Sequence, residues 1–267
     1  MTSEFSQSER NAELITASAL KLHVAKILTS DRAGRLIGAV TRKRIRHQGI
    51  WFDTRGSNFS PSVRAQMFWG GYESAETRMI HKVLRGSATV VELGSSLGVT
   101  AAHVGSVMVP GGHLICVEAN PRLLPGLRMM TLRHASKLRV DVVHGAVTDH
   151  CGTTVLAIAS QTVGSRVTAA PRPNESTVEV PALTLREILR RTSVAEFDLV
   201  SDIEGSETAF LMLDSEVLKA CRRVIIELHE TTLGGHKFTV SDLISAAIDA
   251  GFQIIDRHGP VLALERS

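Results

Sequence analysis

The chain has 267 residues, 43% hydrophobic and 21% charged, which predicts a packed globular core and excludes a disordered chain. Its net charge of +3 is too small for a dedicated nucleic-acid binder, and no run approaches the ~20 apolar residues of a membrane span. The polar, acidic opening "MTSEFSQSERNAEL" is no secretory leader, and Cys116, Cys151 and Cys221 lack metal spacing; the expectation is a soluble cytoplasmic protein in a reducing compartment.

Apolar residues at mostly helical spacing predict helices over residues 13–28 and 33–44. "IRHQGIWFDTR" favours a strand, being rich in branched and aromatic residues. Ser60 and Pro61 read as the cap and first position of a helix reaching Phe68, and Ser74 as the cap of another over "AETRMIHKVL". From residue 88 the pattern alternates: strand 88–93, helix 99–108, strand 113–118, a helix from Pro121 to about 135, then strand "LRVDVVHGAV". Residues 149–181 read as irregular, holding short strands "TTVLAIA" and "STVEV". Helix "LREILRR", strand "FDLVSDI", helix "SETAFLML", strand "RRVIIELH" and helix "VSDLISAAIDA" follow. The last elements are strand "FQIIDR", turn "HGP" and strand "VLALE".

Strands alternating with helices predict a parallel sheet covered on both faces. The final two strands leave no room for a crossover helix, so they should run antiparallel. The expected fold is therefore α/β: a mostly parallel seven-stranded sheet ending in an antiparallel hairpin, the Rossmann-like class I methyltransferase layout. A helical extension over residues 1–70 is expected to precede this domain, which takes 71–267.

The turn "ELGSSLG" after the first strand of this alternation lies where such sheets bind ligands, outside the carboxyl ends of the strands. Gly94 and Gly98 suit close backbone approach, and the following helix offers free N–H groups. Glu118, closing the next strand, is placed to accept from ribose hydroxyls. A dinucleotide fingerprint needs a middle glycine, and Ser96 stands there. Glu92 would repel a pyrophosphate and favours a ligand with amino and sulfonium cations. The expected ligand is S-adenosylmethionine.

Several ordered motifs then resemble the FkbM family of S-adenosylmethionine-dependent methyltransferases, from about Gly71 to Glu230. They are "GYESAETRMIHKVL", "VVELGSSLG", "VEANPRLLPGL", "GAVTDHCG", "VPALTLREIL", "SDIEGSE" and "IIELHE". Ala119 stands where proline is usual, Arg186 replaces an acid, and Val200 and Ser201 stand where a lysine is usual. The resemblance implies O-methylation of hydroxyls in a small specialised metabolite, sugar or glycan. It also implies that Tyr72 or Glu73 closes over the donor.

"SDIEGSE" places Asp202 and Glu204 at a strand end, where alternation would point them the same way; Glu227 and His229 share a face of the neighbouring strand. His229 is the expected general base, with Asp202 and Glu204 orienting the acceptor or the methionine part of the donor. Plainer readings are a histidine bonded to a loop carbonyl and acids that cap the next helix. A divalent-metal site of Asp202, Glu204, Glu227 and His229 is a second, less favoured reading. Glu92, Gly94, Ser95, Ser96 and Gly98 are expected at the methionine end of the donor, with Asp202 nearby. Ala119 and Asn120 are expected beside the adenine, and Ala146 and Asp149 approach it from the third strand end. "TRKRIRH" could grip an acidic acceptor, an anionic carrier or a membrane surface, though a solvated helix end is the blander reading. Competing functions are a non-catalytic donor-binding module and an NAD-dependent oxidoreductase. The N-terminal helices are expected to form a lid over the acceptor or a homodimer contact, without membrane insertion.

Overall fold

The computed structural model describes residues 24–56, 58–159, 164–168, 172, 173, 175–233 and 235–267. The chain divides into two compact units, Met1–Tyr72 and Glu73–Ser267. In the first, residues 24–28 are helical, and the rest of the helix expected over 13–28 lies outside the described residues. Helix α1 (Asp31–Val40) begins at Ser30, whose hydroxyl accepts from the Ala33 amide. It stops short of residue 44 because Arg42 and Lys43 adopt left-handed φ of 52° and 57°. The stretch expected as one strand is a hairpin, β1 (Arg44–His47) and β2 (Ile50–Asp53), turning at Gln48 and Gly49, both with positive φ. Helix α2 (Pro61–Phe68) has Ser60 as its cap and Pro61 in its first turn, as expected. Helix α1 packs on α2 through Gly34, where a Cβ would come 1.6 Å from the Pro61 carbonyl oxygen. The buried residues of α1 are accordingly two glycines, Gly34 and Gly38.

The second unit runs α3 (Ser74–Val83), β3 (Thr89–Leu93), α4 (Val99–Val107), β4 (His113–Glu118), α5 (Leu124–His134) and β5 (Arg139–His144). Then come β6 (Ala146–Val147), β7 (Gly152–Ile158), β8 (Arg166–Val167), β9 (Ser176–Leu183), α6 (Leu185–Thr192) and β10 (Phe197–Ser201). Helix α7 (Thr208–Leu211), β11 (Cys221–Glu227), β12 (Thr231–Leu233), β13 (His236–Phe238), α8 (Val240–Asp249), β14 (Phe252–His258) and β15 (Val261–Arg266) complete it. Seven strands form one sheet in the order β14–β15–β11–β10–β3–β4–β5. The five from β11 to β5 are parallel, and β15 pairs antiparallel with both β11 and β14. This is the expected Rossmann-like class I methyltransferase sheet.

Strand alternation sorts the core into two layers. Val91, Leu93, Ile115, Val117 and Leu199 face one side, with Ile188 of α6 and Leu243 of α8. Val90, Leu114, Cys116 and Val200 face the other, with Met79 of α3, Val104 of α4 and Leu127 of α5. Three features depart from expectation. The two short strands expected within 149–181, observed as β7 and β9, join β6 and β8 in a second sheet of four strands, order β6–β9–β7–β8, and β12 pairs with β13 as a further hairpin. Helix α7 is one turn long, because the chain leaves it for a 3-10 turn over Ser215–Ala220.

Candidate active site at the carboxyl ends of the strands

From β3 the chain moves outward to β4 and β5, then returns to the other side of β3 as β10 and β11. Strand order reverses between β3 and β10, and the crevice at that reversal is where open α/β sheets bind ligands. Gly94 follows β3 with φ 84°, and a Cβ there would lie 1.9 Å from the Asp202 carbonyl oxygen after β10. The amides of Gly94 and Ser95 both donate to the Val117 carbonyl at 3.0 Å. Gly98 (φ 76°) opens α4 without a side-chain cap, leaving N–H groups at that helix end for a ligand.

Glu118 is buried, its two oxygens accepting from the Ser96 amide at 2.7 Å and the Asn120 amide at 2.6 Å. Burial raises its pKa, and those amides oppose the rise. Each carboxylate oxygen keeps a second lone pair, so ribose hydroxyls can still donate to Glu118. Asn120 is buried beside it, and the carbonyl of Ala119 meets His144 Nε2 at 3.2 Å. Ala146 is buried in β6, while Asp149 is exposed and bonded to His150 at 2.7 Å. Tyr72 belongs to the first unit, where it is buried with its ring edge-on to His47 at 6.4 Å. Glu73 precedes α3 with φ 43° and accepts from the Thr100 hydroxyl.

An unusual number of acids meets at these strand ends. Glu92 is only 1% exposed, and the Ser95 hydroxyl donates to its Oε2 at 2.7 Å. Burial, reinforced by Glu73 and Glu118 and opposed by Ser95 and Cys116, pushes its pKa up to about 8. Asp202 is likewise pushed up to about 8, by burial and then by Glu73 and Glu227, against the pull of His229. Glu204 does not alternate with Asp202 along a strand: β10 ends at Ser201, and Glu204 turns outward with φ 54°.

His229 stands among four carboxylates. Its Nδ1 lies 3.3 Å from Glu207 Oε1, and its Nε2 lies 3.6 Å from Glu204, 3.8 Å from Glu227 and 3.9 Å from Asp202. Burial works against a charge on this ring, but Glu207, then Asp202 and Glu204, outweigh it and push the pKa up to about 9. Glu207 is 0% exposed, and its Oε1 also accepts from the Ile203 amide at 3.2 Å. It is the member of this cluster that sequence pattern misses. It is the third acid of "SDIEGSE", where a helix start already explains an acid.

These residues fit S-adenosylmethionine. Buried Ser96 Oγ, Asp202 Oδ1 and Glu207 Oε2 have no hydrogen-bond partner within the protein, and Glu92 Oε1 meets no N–H or O–H donor. Such acceptors match a ligand bearing ammonium and sulfonium charges and hydroxyl donors. Among the described residues, one group has metal-capable atoms all within 4.8 Å of one another: Asp202, Glu207 and His229. Glu204 and Glu227 lie outside that group.

A model of the FkbM methyltransferase domain matches residues 95–254. The chain belongs to this family. As an FkbM-domain protein it is an S-adenosylmethionine-dependent methyltransferase. Solved structures with similar folds include Sp1610 of Streptococcus pneumoniae in complex with S-adenosyl-L-methionine, at 12% identity and TM-score 0.40, covering 73% of each chain. Aeropyrum pernix fibrillarin with natively bound S-adenosyl-L-methionine is 14% identical, with TM-score 0.39 and 72% of each chain covered. The N-terminal domain of EvdMO1, in the presence of SAH and D-fucose, is 10% identical with TM-score 0.41, covering 88% of this chain and 96% of that one. Curated protein sequences contain no significant match. Among the described residues no helix of the FkbM-domain enzyme is long and apolar enough to cross a membrane.

Proposed function

We propose that this enzyme methylates a hydroxyl oxygen of a small metabolite, sugar or glycan, with His229 as general base. The observation that carries the reading is the double membership of Glu204, which approaches His229 and also lines a cleft of about 990 Å³. That cleft lies between the second sheet and the β12–β13 hairpin, and Thr148, Thr154, Ser206, Thr208 and Thr231 are among its lining residues, with Asp149, Arg166, Arg172, Glu230 and Lys237. A lining of hydroxyl-bearing and charged side chains suits an acceptor with several hydroxyls of its own. When bound, S-adenosylmethionine supplies a methyl group on a positively charged sulfur, whose displacement leaves a neutral thioether.

The roles of the protein groups follow from position. Glu207 holds Nδ1 of His229, so that Nε2 can take the proton of the acceptor hydroxyl. Asp202 and Glu92, which burial holds largely protonated, are the acids that ionise beside cationic groups, and Glu118 accepts from ribose hydroxyls while fixing the Ser96 and Asn120 amides. Ala119, Asn120 and Ala146 border the adenine; Asp149 lines the acceptor cleft, so its role passes to acceptor binding. Transfer of labelled methyl groups from the donor to a panel of polyols and sugars tests the reading: hydroxyl products support it. Amine or carbon products alone would sink it.

A second reading places a divalent cation among Asp202, Glu207 and His229, favoured by their mutual approach within 4.8 Å. Against it, Glu207 and Asp202 face different nitrogens of the ring. Dialysis against a chelator separates the two: full activity removes the cation, and loss restored by Mg²⁺ or Mn²⁺ supports it.

A further inference from the structure

We propose that the first unit carries a docking surface for anionic membrane lipid headgroups, centred on Arg44, Arg46 and Trp51. The β1–β2 hairpin alternates strictly, burying Ile45, His47 and Phe52 and turning Arg44, Arg46 and Trp51 outward. Arg46 and Trp51 are cross-strand partners, so a cation and an exposed indole sit side by side. With Thr41, Ile45 and Phe68 these three residues line a groove of about 590 Å³. Trp51 is 61% exposed, and Phe68 and Trp69, in edge-to-face contact at 5.0 Å, are 43% and 53% exposed. Helix α1 adds to this, since it packs through glycines and leaves Leu36 and Val40, one turn apart, 67% and 76% exposed.

Apolar exposure alone would not say what covers the surface; the charge does. Arg42, Lys43, Arg44 and Arg46 are exposed, and among the described residues none of them forms an ion pair with a carboxylate. Asp53, the cross-strand neighbour of Arg44, is instead held by Arg55. Unpaired cations beside exposed aromatic rings match a bilayer interface, where the rings lie at headgroup level and each cation meets lipid phosphate. A spanning segment is not needed for such attachment.

The full-length protein, sedimented with vesicles of phosphatidylcholine alone or mixed with phosphatidylglycerol, tests this. The expected result is binding to the mixed vesicles only, abolished at high salt. The Arg44→Ala/Arg46→Ala protein should bind about twenty-five-fold more weakly, about fivefold per cation. Trp51→Ala should weaken binding as well, with donor affinity by calorimetry unchanged in both variants. No binding to mixed vesicles, equal binding to neutral ones, or indifference to these substitutions would overturn the proposal. So would light scattering that shows a dimer dissociating on the same substitutions, or an RNA oligonucleotide that competes vesicles off the wild-type protein.

Discussion

Replacing Gly94 by alanine tests whether the donor turn and the acidic strand end form one rigid unit. The new Cβ would lie 1.9 Å from the Asp202 carbonyl oxygen, against the 3.4 Å at which ordinary contact begins, so the two segments must part by about 1.5 Å. The left-handed φ of 84° costs alanine about 1–2 kcal/mol. Separation also stretches the Asp202 N–H to Leu93 carbonyl bond, now 3.0 Å and worth about 0.5–1.5 kcal/mol net. The sum is about 1.5–3.5 kcal/mol, or roughly 3–14 °C in melting temperature for a chain of this size. Gly86→Ala is the control, because Gly86 has a similar φ of 81° and open space within 4 Å of where a Cβ would sit, and should lose only the conformational part. Urea unfolding of both proteins, with donor titration by calorimetry, gives the comparison. Equal losses in the two variants, or unchanged donor affinity in Gly94→Ala, would refute the reasoning.

His229→Ala should lower kcat by about 100-fold or more while leaving donor affinity intact, and near-normal turnover would end its role as base. In the wild type, kcat/KM should climb with pH towards about 9, because only the neutral ring can accept a proton; a profile already level at neutral pH contradicts this. Glu118→Ala should weaken donor binding by about tenfold or more in calorimetry, and unchanged affinity would remove Glu118 from the ribose. Glu92 has a folded pKa of about 8 against an ordinary 4.5, so its neutral form is favoured on folding. The stability this gives is complete below about 4.5 and is lost as pH rises through about 8. Glu92→Gln should therefore flatten the fall in unfolding free energy across that window; urea titrations with the same slope as wild type would show that the carboxyl does not control it.

Much of this arrangement could be read from residue order alone. Leu114 to Val117 is an unbroken apolar run, and Val90 to Leu93 is one interrupted only by Glu92, because both sheet faces are covered; such runs between Gly-containing turns mark central strands. The C-terminal hairpin was legible from the short "HGP" connection. Two strands of the second sheet, β7 and β9, were legible as "TTVLAIA" and "STVEV", but their pairing with the two-residue strands β6 and β8 was not, because strands that short carry no periodicity. The β1–β2 turn hid in the same way: Gln48 carries a positive φ that no turn rule assigns to glutamine, although Gly49 beside it is the usual signal. At the site, Gly94, Glu118, Asp202 and His229 stand out by type and by position at or just past strand ends, although β11 stops at Glu227, so His229 does not share a strand face with it as expected. Glu207 does not stand out, since its burial against His229 depends on how the turn at Gly205 (φ 101°) folds back, which spacing cannot express.

The place of β15 has a consequence for how the chain acquires its fold. Of the seven strands in the main sheet it is translated last, yet it lies between β11 and β14 and hydrogen-bonds to both. Until Val261–Arg266 leaves the ribosome, β11 and β14 have open edges, and the apolar face that Leu262 and Leu264 will fill stays uncovered. The nascent chain must therefore wait, with two sticky edges, for its final insertion. Messages truncated within this strand should yield aggregates rather than a smaller folded enzyme.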